Sequence, residues 1–179
     1  FDHWELNFDG EVSEGKFTMP AADVTVTAVY TRKRYIIQTE VEPAGVGSIT
    51  APATGQTGLT ITLSQTPATG YTFKRWELST GGEVTDNQFT MPAQGVTVKA
   101  IYIRSVHQIT TVCKPKTGGV ITCARASEYG KIITVSQQTN EGYIFAGWTL
   151  SFDGEVVDGK FTMPDQRVTV TANYTRDTS

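Results

Sequence analysis

The chain has 179 residues, with 15 Lys and Arg against 18 Asp and Glu, and a net charge of −3 with both signs scattered. No basic stripe is present to neutralise a phosphate backbone, which argues against nucleic acid as a partner. No apolar run approaches the ~20 residues that span a bilayer, and no Lys/Arg cluster sits beside an amphipathic helix, which argues against direct membrane insertion of this segment.

The 29 threonines, together with Val, Ile and aromatics, are what pleated, half-buried strands use. The organising feature is a repeat. Trp4, Trp76 and Trp148 are each 72 residues apart. The same spacing relates the Phe-Thr-Met-Pro tetrapeptides at 17–20, 89–92 and 161–164, and the Val-Thr-Val triplets beginning at Val24, Val96 and Val168. It also relates Tyr30, Tyr102 and Tyr174, and no gap is needed anywhere. A fixed period of this kind points to a serial array. Residues 34–105 and 106–179 read as complete copies, and residues 1–33 as the second half of one. The chain is therefore expected to be a piece of a longer array. A unit this small buries only roughly 60% of its unfolded surface and is marginal alone, so contacts between neighbouring repeats are expected to add stability.

In chain order, the half copy 1–33 carries strand edges without their partners, and such an edge is a template for another chain. It is expected to pack on the following unit or to pair between molecules. In the complete copy 34–105, alternation predicts strands at 35–42, 47–52, 59–65, 71–78, 83–85, 88–91 and 96–103, and no helix. The first two are expected to form a hairpin around 44–47, with Ile37, Thr39 and Val41 on one face beside Ile49 and Ala51. Tyr71 and Phe73 alternate, and so do Trp76 and Leu78, but the parity changes between the pairs. That predicts a bulge near Lys74 and Arg75, where the last copy has Ala146 and Gly147. The Gly-Gly at 81–82, and the Asp-Gly at 9–10 and 153–154, predict a two-residue hairpin turn. Pro92 closes a strand because it cannot donate to a ladder.

The expected core of each unit is aromatic: Trp4, Trp76 and Trp148, with Phe17, Phe89 and Phe161, Met19, Met91 and Met163, and Tyr30, Tyr102 and Tyr174. An aromatic platform for sugar is the competing reading of the tryptophans. Cys113 and Cys123 lie symmetrically about Gly118 and replace Val41 and Ala51 of the previous copy. Placed opposite each other on paired strands, they predict a cross-strand disulfide in an oxidising setting. The alternative is two buried thiols packing as small hydrophobes. The acidic turns at 9–11 and 153–155 show turn chemistry rather than a calcium loop, which needs ~6–8 oxygens at defined spacing. His3 and His107 occupy unrelated positions and read as solvated residues. Glu11, Glu83 and Glu155 recur without a recurring carboxylate partner, so no catalytic residue, metal site or cofactor is expected.

The string Gly70-Tyr71-x-Phe73-x-x-Trp76, then Phe89 to Pro92, then Val96 to Tyr102, recurs at Gly142 to Tyr174, with a partial copy from Phe1. It resembles the divergent internalin-B-type B-repeat, a group related to the Listeria–Bacteroides repeats of bacterial surface proteins. Arg75 and His3 depart from the pattern, which usually has glycine there. The resemblance implies an all-β chain of small tandem modules, β-grasp-like or small β-sandwiches, on an extracellular or wall-attached bacterial protein. It implies a stalk or spacer with adhesion to a host surface protein or polysaccharide, and no enzyme activity. The alternative is a carbohydrate- or host-protein-binding module, which exposed Tyr or Trp on one face of each unit would favour.

Overall fold

The structure is a computed structural model that describes residues 1–178. Every regular element in it is a strand. No helix among the described residues is long and apolar enough to cross a membrane.

The half copy contributes β1 (His3–Leu6) and β2 (Val26–Val29), an antiparallel pair running from His3↔Val29 to Leu6↔Val26. The middle module contains β3 (Arg34–Glu42), β4 (Gly47–Thr50), β5 (Thr54–Gln56), β6 (Thr60–Thr62), β7 (Ser64–Pro67), β8 (Tyr71–Leu78), β9 (Gln88–Thr90) and β10 (Val96–Arg104). The last module contains β11 (Val106–Lys114), β12 (Gly119–Cys123), β13 (Ala126–Glu128), β14 (Ile132–Thr139), β15 (Tyr143–Leu150), β16 (Lys160–Thr162) and β17 (Val168–Arg176).

Each module has a four-stranded main sheet, in the order β5-β3-β10-β8 or β13-β11-β17-β15. Its first and last long strands form the central pair, and they are parallel: Val96 lies beside Ile37 and Ile101 beside Glu42. The facing layer is a three-stranded sheet, β12-β14-β16, in the last module. In the middle module the counterpart of β14 is split into β6 and β7 at Leu63, so that layer becomes the pairs β4-β7 and β6-β9. Both layers are sheets, so each module is a small β-sandwich with a mixed main sheet.

The core lies between the layers because each strand turns alternate residues inward. In the middle module Ile37, Val96 and Val98 of the main sheet meet Ile61, Leu63, Phe89 and Met91 of the facing layer. Ile109, Val168, Val170 and Leu150 meet Ile133, Val135, Phe161 and Met163 in the same way in the last module. Burying one side chain of this kind is worth about 1.5–3 kcal/mol.

The bulge is where the parity change placed it. Pairing of β8 with β10 skips Lys74, and pairing of β15 with β17 skips Ala146, beside Gly147 at φ +132°. Three expectations change. First, β3 and β4 are not a hairpin. β3 pairs with β5 and β10, and β4 with β7, so the chain crosses from one sheet to the other at 43–46. Val41 and Ile49 still pack on one core, because an arch and a hairpin both bring alternating apolar faces together. Second, the two-residue turn lies later than the Gly-Gly at 81–82. Positive φ at both Asp86 and Asn87, and at both Asp158 and Gly159, closes the bridges Thr85↔Gln88 and Val157↔Lys160. Both central residues of such a turn need positive φ. The expected strand at 83–85 reduces to that single bridge. Third, the short strands β5 and β13 were not expected. Gly55, in the middle of β5, is buried and breaks the alternation. A Cβ there would lie 2.7 Å from Ile61 Cδ1 and 2.9 Å from Met91 Sδ.

Candidate functional site

The residues that recur in all three copies build the aromatic centre of the module. Phe73 contacts Trp76 at a ring separation of 5.0 Å and Tyr102 at 5.8 Å. Phe145, Trp148 and Tyr174 repeat the group at 5.2 and 5.7 Å. The bulge on β8 and β15 makes this possible. It returns Trp76 to the inward face after Phe73 has already pointed inward, so one strand sends both rings to the core.

Trp76 and Trp148 are half-buried against the core, and Trp76 Nε1 donates to Asn87 Oδ1 at 2.9 Å. The Tyr102 hydroxyl lies 3.0 Å from Gln65 Oε1 and 3.2 Å from the Ser48 carbonyl oxygen. The Tyr174 hydroxyl donates to Gln137 Oε1 at 3.2 Å. Burial raises the pKa of both phenols. Phe89, Met91, Phe161 and Met163 are buried with them.

The half copy keeps the contacts between Phe1 and Trp4 and between Phe1 and Tyr30, at 5.0 and 5.9 Å, but not the burial. Trp4 is 42% exposed, Met19 64% and Tyr30 70%, and Phe17 is half-buried. The expectation that these residues form a core therefore fails in the half copy. The strands that cover the equivalent positions, β3 to β7 in the middle module, have no counterpart there. The half copy meets the next module at Thr57, whose carbonyl accepts from Arg32 Nη1 and whose N–H and hydroxyl donate to the Lys33 carbonyl.

Cys113 and Cys123 are free thiols. The expected disulfide required β11 and β12 to be hydrogen-bonded neighbours. They belong to different sheets, with Cys113 beside Ala172 of β17 and Cys123 beside Val135 of β14. Cys113 Sγ points at the Gly119 carbonyl oxygen, 3.2 Å away, and Cys123 packs on the core, where burial raises its pKa.

The outer faces of the two main sheets differ. In the middle module Lys99 reaches Glu42 at 2.8 Å and Glu40 at 3.3 Å, and Arg75 pairs with Glu77. The hydrogen bond from Lys99 holds Glu42 below the usual carboxylate range, and the lysine is raised in turn. The equivalent residues of the last module are Thr171, Lys114, Val112, Gly147 and Thr149, and the charge pattern is gone. His107 also departs from expectation. It is half-buried at the boundary between modules, with Nε2 2.7 Å from Asp165 Oδ1. Nothing in its sequence spacing signalled this, because Asp165 replaces alanine in the other copies.

No curated protein matches the sequence. Among solved structures, the chain is similar to streptococcal high identity repeats in tandem (SHIRT) domains 3–4 from a cell surface protein. The identity is 13%, over 80% of this chain and 99% of that one, with a TM-score of 0.25. The family described as the divergent InlB B-repeat domain matches residues 1–34, 37–105 and 109–178. Three in-phase matches cover nearly all of the sequence, and the chain belongs to the divergent InlB B-repeat family.

Proposed function

We propose that the chain is a spacer segment of a bacterial surface protein, in which each module lengthens an extracellular stalk. The observation that carries this reading is the parallel pairing of the first and last long strands. Chain enters the middle module at Arg34 and leaves at Arg104. Because β3 and β10 run the same way, with Ile101 beside Glu42, entry and exit lie at opposite poles. Modules joined through such poles follow one another end to end. At about 3.3 Å per strand residue, each adds roughly 35 Å along the strand direction.

The pattern of recurrence supports the same reading. The aromatic and apolar residues of the module centre are shared by the copies, while the outer faces differ between the two complete modules. No recurring set of polar residues points to catalysis, and we assign none. Adhesion to a host surface protein or polysaccharide remains part of the proposal as a weaker, repeated contact that gains from avidity. The divergent outer faces limit that gain to surfaces the modules share.

Small-angle scattering on the full chain, and on a version with one further copy of 106–178, tests the spacer. The maximum dimension should grow by about one module length per copy. A compact particle with little growth would overturn it. A binding screen of the two chains against polysaccharides and matrix proteins tests adhesion, with affinity expected to rise with copy number.

A further inference from the structure

The middle and last modules meet with almost no linker, since only Ser105 separates β10 from β11. Interfaces between domains of one chain usually leave them free to move unless large or hydrophobic. The contacts across this boundary are specific. Gly70, just before β8, has φ +81°, and a Cβ there would lie 1.9 Å from Tyr129 Cδ1. The Tyr129 ring of the last module thus sits against the bare glycine of the middle one. The Gly70 N–H donates to Asp165 Oδ2 at 2.7 Å, while His107 Nε2 donates to Oδ1 at 2.7 Å. One carboxylate therefore takes a donor from each module.

Part of this joint is common to the array. Thr57 N–H donates to the Lys33 carbonyl at 3.0 Å, as Tyr129 N–H does to that of Ser105 at 2.8 Å. Arg32 Nη1 reaches the Thr57 carbonyl at 3.2 Å, as Arg104 Nη1 reaches that of Tyr129 at 3.1 Å. Three side chains are not common. Where the last module has His107, Tyr129 and Asp165, the middle module has Tyr35, Thr57 and Ala93. These supply neither the ring over the glycine nor the carboxylate. At the far pole of the last module Gly142 has nearly the same φ, +78°, with nothing within 4 Å of where a Cβ would be. The notch glycine thus recurs in both complete modules, and at Gly70 its occupant is supplied by the last module.

We propose that His107, Tyr129 and Asp165 form a key that seats in the Gly70 notch and holds the last module rigidly on the middle one. A module carrying Tyr, Thr and Ala at these positions, as the middle module does, forms a mobile joint instead. Stiffness along the array is then set joint by joint, by three positions on the downstream module. This holds whether or not the array is a stalk.

The test replaces the key with the residues the middle module already carries: His107→Tyr, Tyr129→Thr and Asp165→Ala in the full chain. Residual dipolar couplings then report the alignment of the middle and last modules separately. In the parent chain one alignment tensor should fit both modules. In the swapped chain two tensors of different magnitude are expected, with amide spectra of each core unchanged. Two tensors in the parent, or one shared tensor in the swapped chain, would overturn the proposal. Should the triple variant lose its core spectra, Tyr129→Thr alone is read by the same two outcomes.

Discussion

The tetrapeptide Phe-Thr-Met-Pro has different fates in the half copy and in the complete modules. Met91 and Met163 are among the most buried side chains of the protein, while Met19 faces solvent. Tyr102 and Tyr174 are buried, and Tyr30 is not. The local sequences are nearly the same, so burial here is not a property of the motif. It is conferred by the other half of the unit, whose facing layer and parallel central strand close over these residues. β2 keeps its antiparallel partner β1, but not the parallel neighbour that β10 finds in β3.

Four measurements break or sharpen that comparison. The largest expected effect is at the methionine. Met91→Ala should destabilise the middle module by about 2–5 kcal/mol, through lost transfer energy and a cavity. Met19→Ala should stay within about 0.5 kcal/mol, as for an exposed site. Denaturant unfolding of the full chain reads both, and equal losses would show that the half copy builds a core of its own.

Gly70→Ala and Gly142→Ala come next. Both place a Cβ at positive φ, which costs about 1 kcal/mol. Only Gly70→Ala also drives that Cβ into Tyr129, so only it should separate the unfolding of the middle and last modules. Thermal melts of the two variants make the comparison. Tyr102→Phe should then cost about 0.5–1.5 kcal/mol, because the hydroxyl that bonds Gln65 and the Ser48 carbonyl is lost. Tyr30→Phe should change nothing measurable.

The smallest effect is at Asp165, whose pKa is lowered first by its hydrogen bond to His107 and then by the Gly70 N–H. A carboxyl with a folded pKa below its unfolded value contributes fully above the unfolded value, about pH 4. The contribution is lost as pH falls through the folded value. The coupling between the middle and last modules should therefore weaken below about pH 4, and Asp165→Asn should remove that acid dependence. An acid titration of modular alignment, with and without the substitution, reads it.

Much of the candidate site was legible in the sequence, but unevenly. The Phe–Trp–Tyr group and its bulge followed from a change of parity between Phe73 and Trp76, because period-two alternation directly reports which face a residue takes. The true hairpin turn was marked by Asp158-Gly159 yet overshadowed by the Gly-Gly and Asp-Gly pairs five residues earlier. The cysteines misled for a different reason. Alternation places Cys113 and Cys123 on the apolar side, which holds for a hairpin within one sheet and for an arch between two.

By itself, the sequence determined the repeat, the all-β class and the strands of 71–78 and 96–103, since these depend on local periodicity and on side-chain type. The tertiary structure alone decided which strands are neighbours, that the central pair is parallel, and that the same motif is buried in one copy and exposed in another. It also brought Gly70, His107, Tyr129 and Asp165 to one point. Each of these depends on contacts between segments far apart in the chain, where one pattern of alternation is compatible with several partners.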